Sequence, residues 1–189
     1  MEPHQPQTPR HSVSVAGVIT DANGSHVLLI QRRDNGHWEP PGGVLELGET
    51  IEDGLRREIA EETGAQVEIL ALTGVYKNMT RGIVALVYRC RLTNEPATAT
   101  DEALVVAWQD VDDIDRLMAP AYAIRVHDAV SGQPAATRAH DGIDLSASSQ
   151  RASDTPSRCD ASPLRRTSTP KTARNAAEAD VPRLNRVSH

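Results

Sequence analysis

The sequence predicts an α/β fold in which a mixed β-sheet lies between helices, followed by a disordered C-terminal tail. Three observations carry this reading. Apolar segments of strand length, bounded by turn residues, stand on both sides of one strongly marked amphipathic helix. Residues 83–88 alternate Ile83, Ala85 and Val87 against Val84, Leu86 and Tyr88, so both faces of that strand are apolar, as in a sheet covered on both sides. Composition then changes near Val130, after which aromatics are absent and bulky aliphatics are few.

In order along the chain, residues 1–11 are polar and Pro-rich and read as a flexible N-terminus. Residues 12–20 (SVSVAGVIT) and 26–32 (HVLLIQR) read as strands joined by the turn Asp21-Ala22-Asn23-Gly24. In Trp38-Glu39-Pro40-Pro41-Gly42-Gly43 two prolines stiffen a loop and two glycines permit a tight backbone turn. A helix over 51–63 follows. Residues 66–75 and 82–92 read as strands around the loop 77–81, and 103–109 as a further strand. Residues 112–130 carry helical segments interrupted at Pro120.

The helix over 51–63 has a start, a stripe and a stop. Thr50 and Asp53 fit a capping box, Ile51, Leu55 and Ile59 recur every four residues, and Gly64 supplies a C-terminal cap. Glu58, Glu61 and Glu62 stand at i, i+3 and i+4, so their carboxylates leave one side of the helix within reach of one another. In projection Glu62 falls between Ile51 and Leu55, and Glu58 borders that apolar stripe. Carboxylates placed there are costly to desolvate unless paired or bound to a cation. Hard divalent ions such as Mg²⁺ take a few carboxylates together with substrate phosphates, so the array points to metal-assisted cleavage of a phosphoanhydride.

Residues 43–65, GVLELGETIEDGLRREIAEETGA, resemble the Nudix box, G-x5-E-x7-R-E-U-x-E-E-x-G-U with U a bulky aliphatic residue. Gly43, Glu49, Arg57, Glu58, Ile59, Glu61, Glu62 and Gly64 match, and only Ala65 departs, at a packing position. The chain is thereby identified as similar to MutT-like Nudix hydrolases over about residues 12–130. The resemblance implies the α/β/α sandwich of that family. It implies that Glu58, Glu61 and Glu62, with Gly43 counted beside them, bind the divalent metal, Mg²⁺ with Mn²⁺ as the alternative. Glu61 or Glu62 then orients or deprotonates the attacking water, while Glu49 and Arg57 support the loop and helix electrostatically.

The resemblance also implies a phosphate contact from the arginine pair that ends the second strand, with Arg33 preferred and Arg32 second. Trp38 either stacks on a base or anchors the loop in the core. Lys77 or Arg81 reaches a phosphate if the loop 77–81 lines the pocket, and is otherwise part of a solvated hairpin. Glu102 corresponds to a region where some MutT-like enzymes supply a further glutamate to the metals or the water. The expected substrate is a small nucleotide. A nucleoside triphosphate, cleaved to a monophosphate and pyrophosphate, is placed ahead of ADP-ribose or another sugar nucleotide, and a noncatalytic nucleotide-sensing regulator is the reading from another class.

At 189 residues and 39% hydrophobic content the chain holds one domain with a real core. Its net charge of −6 divides unevenly. Residues 1–130 carry 11 Lys and Arg against 20 Asp and Glu, a net −9, whereas 131–189 carry 9 against 6, a net +3. An acidic catalytic half argues against nucleic acid as a partner. No apolar run spans a bilayer and the N-terminus is no signal peptide, so no membrane partner is expected and a cytoplasmic protein is. A homodimer is left open. Cys90 and Cys159 form no disulfide framework or metal cluster and read as free thiols. The domains expected are thus 1–11 flexible, 12–130 catalytic and 131–189 disordered.

Overall fold

A computed structural model describes residues 8–147 of the chain. Its strands are β1 (Ser12–Thr20), β2 (His26–Arg32), β3 (Trp38–Glu39), β4 (Gly42–Val44), β5 (Val67–Asn78), β6 (Ile83–Leu92), β7 (Ala103–Asp110) and β8 (Ala136–His140). The helices are α1 (Ile51–Thr63), α2 (Ile114–Leu117) and α3 (Pro120–Val130), with a 3-10 turn at Val111–Asp113 ahead of α2.

All eight strands join one mixed sheet, with the path β3-β2-β1-β6-β5-β8. Parallel pairing joins β1 to β6 and β5 to β8, and the other ladders are antiparallel. One edge of β1 is divided between two partners: β4 takes Ser14–Ala16, and β2 takes Ile19 and Thr20. That division lets the loop from β2 fold back and lay Gly42 and Gly43 against the sheet.

Because side chains alternate along a strand, the sheet builds a separate core on each face. On one face Val15, Ile19, Leu28, Ile30 and Cys90 pack with Leu55 and Ile59 of α1. On the other, Val18, Val27, Leu29, Tyr76 and Val87 pack with Ile114 of α2, Met118 just after it, and Ala123 and Val126 of α3. Helices on both faces make the α/β/α sandwich that the sequence predicts. Gly17 sets the approach of α1, since a Cβ there would stand 2.6 Å from Ile59 Cδ1. Burial pushes the Cys90 thiol up to about 12, which keeps it inert. Cys159 lies outside the described residues.

α1 begins and ends on its sequence signals. Thr50 Oγ1 accepts from the Asp53 N–H at 3.2 Å and donates to the Asp53 carboxylate at 2.7 Å. Gly64 takes the left-handed conformation, φ 66°, and its N–H reaches Ala60 O at 2.8 Å. Ile51 is 39% exposed, however, so the buried stripe is Leu55, Ile59 and the residues beside them and excludes the first turn.

Several expected boundaries move. Lys77 and Asn78 belong to β5, not to a loop, because the β5–β6 ladder continues to Asn78 opposite Ile83. Pro120 opens α3 at its first position, where a missing N–H costs nothing. The disordered tail expected from residue 131 is corrected for its first part. Ala136–His140 adds to the sheet as β8, in parallel register with Gly74–Asn78, and His140 is buried. Composition underrated this segment because an edge strand is held by backbone ladder bonds and, here, a polar anchor on a carboxylate already fixed by β5. Arg138 donates to both oxygens of Asp128 on α3, at 2.7 and 2.6 Å, and the Tyr76 hydroxyl donates to the same carboxylate at 2.7 Å. The calls on residues 1–7 and 148–189 lie outside the described residues.

Candidate active site

The three helix glutamates do not share one environment. Glu58 and Glu62 are buried at 9% and 6% exposure, on the same side of α1 as Leu55 and Ile59, whereas the Glu61 side chain is 45% exposed. Glu62 Oε2 accepts from the Gly42 N–H at 2.6 Å. Burial pushes the Glu62 carboxyl up to about 8, against the Gly42 hydrogen bond, with the charges of Glu39 and Glu58 adding to the rise. Burial likewise raises Glu58, and the charges of Glu61 and Glu102 raise it further while Arg57 opposes.

Gly43 is where the loop and the helix meet. A Cβ at this position would collide with the carboxylate carbon and both oxygens of Glu58. A side chain on Gly42 would strike the β1 backbone at Val15 and Ala16. The two glycines therefore let the β4 backbone lie between β1 and the α1 carboxylates, where a side chain on Gly42 would meet backbone and one on Gly43 would displace Glu58.

Arg57 organises the acids. Its guanidinium holds Glu49 through two hydrogen bonds of 3.1 and 2.8 Å, Glu58 at 2.9 Å and Glu61 at 3.0 Å, and it reaches Val44 O at 3.3 Å. Arg57 in turn holds the Glu49 carboxyl below its ordinary range, helped by the Glu46 N–H at 2.7 Å. Gly54 makes room for this, since a Cβ on it would stand 2.7 Å from Glu49 Oε1. The pair expected to support loop and helix thus spans them: Glu49 precedes α1, Arg57 is on it, and Val44 belongs to β4.

On the α3 side of β4 lies a cleft of about 250 Å³. Its lining includes Arg32, Glu39, Gly42, Gly43, Tyr76, Asn78, Arg81, Tyr122, Arg125 and His140. Arg32 reaches Glu39 at 2.9 Å and Asp34 at 2.9 and 3.0 Å. The charges of both Arg32 and Glu39 act on Glu62, so these two residues join the cleft to the α1 carboxylates.

The geometry reorders the expected substrate contacts. Arg32 lines the cleft. Arg33, the preferred arginine, donates to Asp101 O at 3.0 Å and Thr100 O at 2.8 Å, which ties its guanidinium to the loop before β7. Arg32 is the last residue of β2 and Arg33 the first of the turn after it, and their guanidiniums find different partners, a distinction that an Arg-Arg pair does not show in sequence. Glu102 sits on that same loop, close enough for its charge to raise Glu58. Trp38 is half-buried and packs against the α3-side core, outside the cleft lining. Arg81 lines the cleft, while Lys77 stands between the lining residues Tyr76 and Asn78 and so belongs to the opposite face of β5.

Sequence reasoning missed Glu39, Asn78, Tyr122, Arg125 and His140. For Arg125 a signal existed, since it falls four residues from each of the buried Ala121 and Ala129, in the middle of an apolar stripe. For His140 none did, because nothing in its neighbours announces a strand.

Among the described residues no three His, Cys, Asp or Glu side chains converge tightly enough to enclose a metal unaided. The donor set nevertheless fits a hard divalent ion that also uses substrate oxygens: two buried carboxylates, a third at the rim, and a glycine backbone pressed against one of them. No helix among the described residues is long and apolar enough to cross a membrane.

The chain is 53% identical over 137 residues to a MutT-like protein of Streptomyces ambofaciens, covering 72% of this chain and 88% of that one. It is 33% identical over 113 residues to an ADP-ribose pyrophosphatase of Methanocaldococcus jannaschii, covering 56% of this chain and 66% of the relative. A crystal structure of a NUDIX hydrolase from Nitrosomonas europaea shares the fold at a TM-score of 0.61 and 24% identity, covering 74% of this chain and 85% of that one. The NUDIX domain family matches residues 10–129, which hold β1 through nearly all of α3, the box and most of the cleft lining, and the chain belongs to the Nudix hydrolases, enzymes that use a divalent metal ion on nucleoside diphosphate derivatives.

Proposed function

We propose that this chain hydrolyses a nucleoside triphosphate to a monophosphate and pyrophosphate, with Glu58, Glu61, Glu62 and the Gly43 backbone holding Mg²⁺, or Mn²⁺ in its place. The observation that carries the reading is the pair of buried carboxylates, Glu58 and Glu62, set against a glycine strand whose other side floors an arginine-lined cleft. Two desolvated carboxylates next to each other disfavour ionisation, and a bound dication reverses that preference. When bound, the ion would neutralise phosphate oxygens and lower the pKa of a coordinated water.

The chain's own groups supply the rest. Arg57 fixes Glu58 and Glu61 in place and carries the helix charge, while Glu49 orients Arg57. Glu61, exposed at the rim, and Glu62, with its raised affinity for a proton, are the two candidates for accepting a proton from the attacking water. Glu102, reached through the Arg33-anchored loop, is the third. In this reading Arg32 meets a substrate phosphate, supported by its position in the cleft lining and by the action of its charge on Glu62.

A second reading, cleavage of ADP-ribose, is favoured by the 33% identity to the archaeal ADP-ribose pyrophosphatase. A chromatographic screen of nucleoside triphosphates, ADP-ribose and other sugar nucleotides with Mg²⁺ and Mn²⁺ decides between them. Highest kcat/KM on a triphosphate, with pyrophosphate released, supports the first reading. Orthophosphate release, or a preference for ADP-ribose, defeats it, and failure to turn over any nucleotide leaves a noncatalytic nucleotide-binding role.

A further inference from the structure

The far end of the cleft contains a buried cation without a counter-charge. Arg125 on α3 is 9% exposed, and its Nε has no hydrogen-bond partner. Its guanidinium carbon lies 4.5 Å from the Tyr122 ring centroid and 5.4 Å from that of Tyr76. The two rings hold the guanidinium plane by cation–π contact and leave its N–H edge without an acceptor. Beside it His140 is 1% exposed, and neither ring nitrogen is hydrogen-bonded. Its ring lies 6.5 Å from Tyr122, centroid to centroid.

Such groups are expensive to bury alone. An unpaired guanidinium in the interior is costly, and burial is tolerated where a partner of opposite charge arrives. The carboxylate that acts on Arg125, Glu39, is already held by Arg32 at 2.9 Å. Counting the ionisable lining, three arginines (Arg32, Arg81 and Arg125) face one acid, Glu39, in a chain whose net charge is −6. A local positive excess in an acidic protein attracts and concentrates an anion. Burial, and after it the Arg125 charge, hold the His140 imidazolium below its ordinary range and favour the neutral ring, which can donate from one nitrogen and accept at the other.

Size restricts what enters. At about 250 Å³ the cleft is smaller than the roughly 300–1,000 Å³ that accommodates a whole drug-sized ligand, so it takes one part of a nucleotide. We propose that Arg125, with His140 and Arg81, forms a subsite for a phosphate group of the substrate lying beyond the diphosphate at the α1 carboxylates. A planar guanidinium fork matches two phosphate oxygens, and His140 supplies a third donor. The subsite rests on the nucleotide-hydrolase reading above for the identity of its ligand, and it extends that reading by assigning the chain a means of selecting three phosphates over two.

Inorganic phosphate tests the subsite without catalysis. In calorimetric titration of the full chain in EDTA, wild type binds phosphate, Arg125→Met weakens binding about tenfold or more, and Arg125→Lys weakens it less. Arg81→Gln alters an exposed position, where misfolding is no explanation, and weakens binding about threefold. Glu58→Gln leaves it unchanged. No phosphate binding by wild type, or equal binding by Arg125→Met, overturns the subsite. In steady-state assays Arg125→Met raises KM for a nucleoside triphosphate about tenfold with kcat nearly unchanged, and spares KM for ADP-ribose. Phosphate competes with the triphosphate. An equal effect on both substrates, or noncompetitive inhibition, which marks a separate regulatory ion, refutes the assignment to substrate. An enzyme inactive on every nucleotide sinks the proposed function alone, since the EDTA titration still decides whether the anion site exists.

Discussion

Replacing Glu62 with Gln separates what this residue costs the fold from what it contributes to chemistry. The side chain is 6% exposed and its carboxyl is moved from 4.5 to about 8, chiefly by burial. A displacement of that size disfavours the ionised form by roughly 5 kcal/mol, an upper bound because water enters as charge forms. The sign follows from linkage. A buried carboxyl that stays protonated stabilises the fold fully below pH 4.5, and this is lost as the pH rises through about 8. At pH 5 the metal-free wild type loses less than about 1 kcal/mol of this, and at pH 8 about 4 kcal/mol. Glutamine never ionises and can still accept from Gly42. In EDTA, then, the melting temperature of Glu62→Gln should exceed that of wild type by up to roughly 10 °C at pH 8 and by little at pH 5. Thermal melts by circular dichroism across pH 5–8 read the gap, and turnover of the best nucleotide in Mg²⁺ should fall by orders of magnitude in the same variant. A gap that does not widen with pH, or a variant less stable than wild type at pH 8, would show that Glu62 is not held desolvated. Wild-type turnover by the variant would remove it from the catalytic set.

Gly43→Ala should keep the fold but drive the Glu58 carboxylate out of place, lowering kcat about tenfold or more, because small misplacements at a reacting centre are costly; unchanged kcat would mean that the close approach is immaterial. Arg33→Gln should loosen the loop that carries Glu102 while leaving the nucleotide KM close to wild type, and a KM rise matching that of Arg32→Gln would restore Arg33 as a phosphate contact. Truncation after Val130 removes β8 and the Arg138–Asp128 pair and should lower the melting temperature by roughly 5 °C or more; coincident melts of full and truncated chains would show β8 to be dispensable. A chelator should abolish turnover and excess Mg²⁺ restore it, with label from ¹⁸O-water appearing on a single phosphate product; chelator-resistant turnover would end the metal-water mechanism.

Local physics made much of this molecule legible in its sequence. Thr50, Asp53 and Gly64 bound α1 because caps act within four residues, and the double alternation of β6 foretold helices on both faces of the sheet. The placement of Glu58 and Glu62 against the core followed from helical periodicity alone. What stayed hidden depends on partners distant in sequence. Whether Arg32 or Arg33 faces the cleft turns on the loop at Thr100 and Asp101, nearly seventy residues away. Glu39 is just another loop acid until Arg32 pairs with it, and β8 has no apolar pattern because its ladder to β5 is made by the backbone. The carboxylate array was readable because one helix presents it, whereas the cleft was not because seven strands and α3 contribute to it.

The parallel seat of β8 on β5 has a consequence for how the molecule is made. The carboxylate centre is complete once residues through 64, and the loop to 102, have been synthesised, yet His140 arrives only with β8, the last strand among the described residues. A ribosome therefore finishes the carboxylate half of the site well before it finishes the cleft proposed to meet the other end of the substrate. Any product released between the two, by premature termination, proteolysis or splicing of genes, would carry every residue of the 23-residue box and still lack a wall of its cleft. Such a fragment would be recognised as a hydrolase by its motif and would have lost the surface proposed to tell one nucleotide from another.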